Sequence, residues 1–154
     1  GGGGASWPQP PLDPAHNFTA MENISRAILA GTNTYRQSKG LRLLAWHPAL
    51  AEIALDHATR VANGEAEFSH AGFELRVASY PFAFTKAAEN LAMCHGAPDI
   101  AACTVNGWIR SPAHKVNLVE VSFDVCGVGT ALSKEFGEER LFVTQLFAAR
   151  SNSA

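Results

Sequence analysis

Apolar residues recur at spacings of three and four along two stretches of the N-terminal half, a pattern typical of helices that bury one face. The first stretch starts at about Thr19 and stops near Gly40. The second starts at Pro48, a residue suited to the first helical position, and stops at Asn63-Gly64, where a left-handed residue can end a helix. The stripes comprise Ile24, Ile28, Leu29, Thr32 and Tyr35 in the first helix, and Leu50, Ile53, Ala54, His57, Ala58 and Val61 in the second. Two long amphipathic helices are therefore expected in this half.

Shorter elements follow in the C-terminal half. The apolar run from Ala88 to Met93 fits a strand or a helical turn equally well by periodicity. A helix is predicted to restart at Ala97-Pro98-Asp99, because an acidic residue is favourable in a first turn. Ser111 is predicted to cap a further short helix that begins with Pro112.

Two strands complete the pattern. They run from Val121 to Leu132 and from Arg140 to Ala148, and the second is dense in β-branched and aromatic residues. The polar segment from Lys134 to Glu139 is predicted to be their hairpin connection. Helices first, strands later and a helix between them predict an α+β fold with helices on both faces of a sheet.

Composition supports a single domain, since 154 residues with 47% hydrophobic side chains can form one well-buried core. Residues 1–18, rich in Gly and Pro, are predicted to be a flexible lead, 19–150 the domain and 151–154 a tail. The net charge of -2, with both signs mixed along the chain, does not favour a nucleic-acid partner. No apolar run reaches the ~18 residues of a transmembrane segment, and a monomer is expected.

Three cysteines allow one disulfide and one free thiol. Cys94 with Cys103 is the favoured pair, because Pro98 and its neighbours can fold the short connection back. Cys126 would then be the free thiol. The alternative is three free thiols in a reducing compartment.

Three motifs occur in a fixed order along the chain: Phe68-Ser69-His70, then Ala88-Glu89-Asn90-Leu91-Ala92, then Trp108-Ile109-Arg110-Ser111-Pro112-Ala113-His114. With these motifs the chain resembles the CAP superfamily, which includes cysteine-rich secretory proteins, antigen 5 and pathogenesis-related 1 proteins. It is most similar to bacterial and protist members. The resemblance spans Ile24 to Phe147 and implies a three-layer α-β-α sandwich around a small antiparallel sheet.

The resemblance also implies a site. In the family, two histidines and two acidic residues line a central cleft, and in several members they hold a divalent ion. His70 and His114 match the histidine positions and Glu89 matches the first acidic position. Ser111 stands where many animal and plant members have the second acid. Two imidazoles and one carboxylate suit Zn²⁺ with an open position, so His70, Glu89 and His114 are the implied, weakened metal site.

Other polar and aromatic residues have simpler interpretations. Trp108 is expected to pack in the core and to wall the cleft. Gln145 matches a Thr-Gln pair in the last strand of bacterial members, and it must find a hydrogen bond either in the cleft or in solvent. His57 is expected to be a satisfied core histidine, and His47 to lie near a helix cap.

The function that the resemblance implies is a secreted or cell-surface, non-catalytic binding module. Several relatives bind sterols or fatty acids in apolar grooves beside the cleft, and many are surface antigens. A sterol, a fatty acid or a host or other extracellular protein is therefore the expected partner. Asn17 and Asn23 lie in Asn-x-Ser/Thr sequons, which would carry glycans in a secretory compartment.

Two alternatives to this function stay open. One is a surface antigen or adhesin whose cleft is vestigial. The other is a metal-assisted hydrolase with Glu89 as its base, although the sequence has no Gly-x-Ser-x-Gly motif for an activated serine.

Overall fold

A computed structural model describes residues 14–134 and 138–151 of the chain, with side chains from residue 18 onward. Within these ranges the helices are α1 (Pro14–Ser38), α2 (Pro48–Ala62), α3 (Phe73–Ala78), α4 (Ile100–Ile109) and α5 (Pro112–Leu118). The strands are β1 (Ala45–Trp46), β2 (Phe84–Cys94), β3 (Val125–Ser133) and β4 (Arg140–Arg150). The first 13 residues of the predicted lead, and the middle of the predicted connection from Lys134 to Glu139, lie outside the described residues.

Two of the predicted helix starts are confirmed by local capping contacts. Pro48 is the first residue of α2, and Nδ1 of His47 accepts the N–H of Ala49 at 3.2 Å, as a cap does. The side chain of Asp99 accepts the N–H of Ala102 at the start of α4. Helix α1 begins earlier than Thr19, at Pro14, because the apolar stripe that predicted it reaches the core only further along the helix.

Two elements were not predicted, and both are short. Strand β1 has two residues and helix α3 has six, so neither is long enough to show a hydrophobic period. The ambiguous run at Ala88 to Met93 is part of strand β2.

The sheet has the order β1-β3-β4-β2, which places β2 at one edge. Strands β2 and β3 both pair antiparallel with β4, as predicted. Strand β1 pairs parallel with β3, through Ala45 with Val125 and Trp46 with Cys126. The three long strands thus form the expected small antiparallel sheet, and the two-residue β1 adds a parallel pair at its edge, because the long chain segment between β1 and β3 brings them together in the same direction.

Helices cover both faces of this sheet, which confirms the α-β-α layering. On one face, Gly127 and Gly129 of β3 let the backbone of α2 come so close that an added Cβ would overlap it. The next residue along β3 from Gly129 points the other way, since side chains alternate across a strand. There Thr130 shares a hydrogen bond of 2.8 Å with Ser25 of α1.

Each face has its own apolar core. The cluster under α1 and α4 includes Ile28, Phe123 and Phe147, and the two phenyl rings stack at 5.1 Å between centroids. The cluster under α2 is smaller and includes Leu50 and Leu146, both fully buried. The sheet is thus a rigid wall between two layers, and it fixes the side chains that project from β2.

Candidate functional site

A buried carboxylate forms the floor of the candidate cleft. Glu89 lies in β2, and its side chain is 1% exposed. Oε2 of Glu89 accepts a hydrogen bond from Nε of Arg76 at 2.6 Å, and Oε1 accepts one from Nη2 at 2.8 Å. Nδ1 of His70 lies 2.9 Å from the same Oε1. A bidentate guanidinium and an imidazole thus satisfy the buried charge.

Arg76 is a residue of the candidate site that the sequence interpretation missed. It lies in α3, is 12% exposed at its side chain, and also donates to the carbonyl oxygens of Ala71 at 3.1 Å and His70 at 3.3 Å. A signal for it existed, since a carboxylate in an apolar strand needs a cation. The other cation between residues 70 and 90, Lys86, pairs with Glu120 instead.

His57 extends the cluster into α2. Nη1 of Arg76 donates to Nδ1 of His57 at 3.3 Å, so the ring proton is on Nε2, which donates to the carbonyl oxygen of Ser69 at 3.1 Å. Burial, and then the charge of Arg76, lower the pKa of His57. The prediction of a satisfied core histidine is confirmed, with a role in holding Arg76 that was not foreseen.

His70 lies at the mouth of the cleft. Its side chain is 57% exposed, and its contact with Glu89 uses Nδ1. The opposite ring nitrogen, Nε2, is left for solvent or for a ligand.

His114 lies on the other side of the β2 edge, in α5. Nδ1 of His114 and Oγ of Ser111 are 2.7 Å apart. Burial, and then the nearby His70, lower the pKa of His114. The structure therefore brings His70 and Glu89 into contact, whereas the His114 ring hydrogen-bonds Ser111. The grouping of all three residues stays a prediction.

Ser111 has a different role from the one predicted. It occupies the N-cap position of α5, but its side chain makes no capping hydrogen bond to the backbone. Its hydroxyl bonds the ring of His114 instead, which explains the difference. Glu89 contacts His70 and not His114, so the described residues do not complete a Ser-His-acid triad.

Behind His114 lies a neutral network of amide side chains. Nδ2 of Asn90 donates to the carbonyl oxygen of His114 at 3.2 Å and to Oε1 of Gln145 at 3.3 Å. Oδ1 of Asn90 accepts from Asn117 at 2.9 Å, and Nε2 of Gln145 donates to Thr32 at 3.0 Å. Gln145 is fully buried, so it hydrogen-bonds neither to solvent nor to a group in the open cleft. Asn90 links it to the backbone of His114.

Trp108 supports the same edge of the sheet. It is 2% exposed, and its indole Nε1 donates to the carbonyl oxygen of Leu91 at 2.9 Å. It belongs to the core under α4, as predicted.

The described side chains of the cleft do not form a set of metal ligands. Among residues 18–134 and 138–151, no group of three His, Cys, Asp or Glu side chains is arranged to hold an ion. Both carboxylate oxygens of Glu89 already accept hydrogen bonds from Arg76, and the side chain is only 1% exposed. The arrangement does not fit the three-ligand set of His70, Glu89 and His114, and Zn²⁺ binding stays a prediction.

The cysteines and sequons lie away from the cleft. Cys94, Cys103 and Cys126 are free thiols, but Sγ of Cys94 and Sγ of Cys103 are only 3.2 Å apart. The two favoured partners are therefore neighbours, and the disulfide between them stays a prediction. Asn23 is exposed on α1, the side chain of Asn17 lies outside the described ones, and glycosylation of both stays a prediction.

Comparisons with solved structures agree with this architecture. An extracellular protein containing an SCP domain from Bacillus anthracis is similar at 28% identity and a TM-score of 0.74, over 92% of this chain and 45% of that one. An outer surface protein of Borrelia burgdorferi matches at 23% identity and a TM-score of 0.66, over 85% of this chain and 96% of that one. NaASP2, solved with Zn²⁺, matches at 13% identity and a TM-score of 0.61, over 86% of this chain and 82% of that one. The chain thus spans less than half the length of the Bacillus protein.

The remaining comparisons concern membranes and families. Within the described ranges, none of the helices has the length and apolar character that a bilayer crossing needs. The search of curated proteins gave no match. The model of the cysteine-rich secretory protein family, CAP, matches residues 29–147. Since that match covers most of the chain and the fold agrees with it, the chain belongs to the cysteine-rich secretory protein (CAP) family.

Proposed function

We propose that this chain is a secreted or surface-exposed, non-catalytic binding module that takes up a sterol or fatty acid in an apolar groove next to the cleft. The observation that supports it is a groove of about 500 Å³ between α1 and α4. Its lining includes Ala27, Gly31, Tyr35, Ala101, Val105 and Ile109. A groove of this volume is within the usual range for small-molecule sites.

Small side chains explain why the groove exists. Gly31 in α1 lies so close to Val105 in α4 that an added Cβ would come within 3.1 Å of Cγ2 of Val105, and Ala27, Ala101 and Ala102 leave the groove open beside that contact. Thr34, Ser38, Asp99 and Asn106 add polar groups to the lining. An acyl chain or a sterol ring system would bury its apolar surface between the helices and place its polar end near these groups.

The groove adjoins the cleft in the chain. Ile109, at the end of α4, lines the groove, and Ser111 follows it two residues later. The proposal does not need catalysis, since Ser111 and His114 have no acid partner among the described residues.

Binding of a fluorescent fatty acid and a fluorescent cholesterol analogue to the purified chain tests the proposal. Wild type should bind at least one of them. Ala102→Trp, which fills the groove from an exposed position on α4, should weaken binding by about tenfold or more, since the ligand can no longer bury its surface. Ala113→Trp, at an exposed position on α5 outside the groove, is the matched control and should bind as wild type does.

Three results would count against the proposal. No uptake of either probe by wild type removes the lipid ligand. Equal binding by Ala102→Trp places the ligand elsewhere, and Glu52→Trp then tests a second apolar pocket of about 300 Å³ between α1, α2 and β3. Peptidase or esterase turnover that disappears in a folded Glu89→Gln variant would establish the hydrolase instead.

A further inference from the structure

We infer that Arg76 is the built-in cation of the cleft: it positions Glu89 and His70 at the place where the family resemblance puts a divalent ion, and it excludes that ion. The inference concerns the cleft and is independent of the lipid groove. Its basis is the geometry of the carboxylate, whose two oxygens lie 2.6 Å and 2.8 Å from the guanidinium nitrogens.

Both oxygens of the Glu89 carboxylate already accept hydrogen bonds. A carboxylate ligates a metal through an oxygen lone pair that is free and accessible. Oε1 of Glu89 already accepts from Arg76 and lies 2.9 Å from Nδ1 of His70, and Oε2 accepts from Arg76. With a side chain only 1% exposed, Glu89 has no outward face to offer, so an ion would have to displace charge-assisted hydrogen bonds.

Charge balance is the second step. Arg76 and Glu89 neutralise each other, and His57 contacts Arg76 through an unprotonated Nδ1. A divalent ion at Glu89 would place two further positive charges beside the guanidinium, in a region that water reaches poorly. These like charges would repel without compensation, because Glu89, the carboxylate that contacts Arg76 among the described residues, is already paired with it.

Anchoring of the guanidinium is the third step. Arg76 is held by His57 and by the carbonyl oxygens of His70 and Ala71, in addition to Glu89. These contacts come from α2 and from the loop before α3, so Arg76 cannot swing aside without breaking several bonds. It is a fixed part of the cleft.

The imidazoles are left with one free nitrogen each. Nδ1 of His70 is used by Glu89, and Nδ1 of His114 by Ser111. Two Nε2 atoms alone are too few ligands for the tetrahedral three-residue sites that bind Zn²⁺. The two imidazoles of the cleft are therefore available for hydrogen bonds rather than as part of a metal site, because Arg76 keeps the Glu89 carboxylate from acting as a third ligand.

Zinc titration followed by NMR of the histidine rings tests the inference. In wild type, the ring signals of His70 and His114 should show no saturable shift with Zn²⁺ at neutral pH. In Arg76→Gln, both rings should shift together and saturate, with an apparent affinity about tenfold or more above the detection limit at which wild type shows no binding, since Glu89 is released as a ligand. Arg60→Gln, which changes an exposed arginine on α2, should behave as wild type does.

Each outcome decides the inference. A saturable shift of both rings in wild type overturns it, and this arm does not depend on any variant folding. A folded Arg76→Gln that gains no Zn²⁺ affinity also overturns it, because Arg76 would then be a structural residue only. Arg76→Lys keeps the charge, so it should exclude Zn²⁺ as wild type does, and a gain of binding there would show that charge is not the cause.

Discussion

Two neighbouring residues of β2, Glu89 and Asn90, anchor two buried polar regions of opposite character. Side chains alternate across a strand, so Glu89 faces α2 and α3 while Asn90 faces α1 and α5. Glu89 enters an ionic cluster with Arg76, whereas Asn90 enters a neutral network with Gln145 and Asn117. The two regions lie back to back, and only the sheet separates them.

The difference shows how one strand can bury two polar side chains in two ways. The carboxylate needs a counter-charge, and a single arginine supplies it together with a fixed orientation. The amide needs both donors and acceptors, and several neutral groups share them so that the bonds are spread over α1, β4 and α5. The ionic region therefore depends on one residue, and the neutral region on many.

Removal of the counter-charge should have the largest effect. Arg76→Met removes the guanidinium from the buried carboxylate of Glu89 and leaves only His70 beside it among the described residues, so the free energy of unfolding should fall by about 3–5 kcal/mol. Urea denaturation measures the loss. The double variant Arg76→Met, Glu89→Met, which removes both charges, should recover most of the stability. A loss no greater than that of the matched exposed variant Arg60→Met would contradict the dependence on Arg76.

A covalent link on the Asn90 side would be the next largest effect. Cys94 lies on the same face of β2 as Asn90, and its Sγ is 3.2 Å from that of Cys103. Oxidation to a disulfide should raise the free energy of unfolding by about 2–3 kcal/mol, as expected for a short closed loop. Intact mass with and without reductant detects the bond, and thermal melts of both forms measure its effect. Cys103→Ser should abolish the difference, and equal melts for the two forms of wild type would contradict it.

Disruption of the neutral network should cost less than loss of Arg76. Asn90→Ala leaves Gln145 and Asn117 short of partners, so the free energy of unfolding should fall by about 1–3 kcal/mol. Asn117→Ala, at the half-buried end of the network, should cost less than Asn90→Ala. If Asn90→Ala lowered the free energy of unfolding as much as Arg76→Met does, the idea that the neutral network spreads its hydrogen bonds over several residues while the ionic cluster depends on one would be wrong. Thermal or urea denaturation of the three variants settles the order.

The smallest expected effect is the response to acid. The pKa of His57 is lowered in the folded state by burial and by Arg76, with Glu89 and Asp56 acting in the opposite direction. Below about pH 6.5 the unfolded chain takes up a proton at His57 and the folded chain does not, so stability should fall as the pH drops from there towards the folded pKa. His57→Gln should flatten this part of the stability curve. Asn117→Ala, in the neutral network, should keep the wild-type slope, and an unchanged slope in His57→Gln would contradict the assignment.

The sequence predicted what depends on local signals and on the family motifs. Pro48 and Asp99 mark helix starts because caps involve residues a few positions apart. His70 and Glu89 were identified by motif and are in contact in the structure. Arg76 was missed because its partner, Glu89, is 13 residues away in the chain and because α3, which contains Arg76, is too short to show a hydrophobic period. The parallel pairing of β1 was missed for a similar reason, since two residues carry no pattern.

Gly127 and Gly129 have an effect beyond the packing of β3. They set the distance between α2 and the sheet, because no side chain separates β3 from the backbone of Ala51 and Leu55. His57, two residues beyond Leu55, takes its position above Arg76 from that distance. A methyl group added to either glycine would overlap the α2 backbone, so α2 would have to move away from the sheet and His57 would move away from the guanidinium. The cleft can thus be altered at two glycines that do not line it.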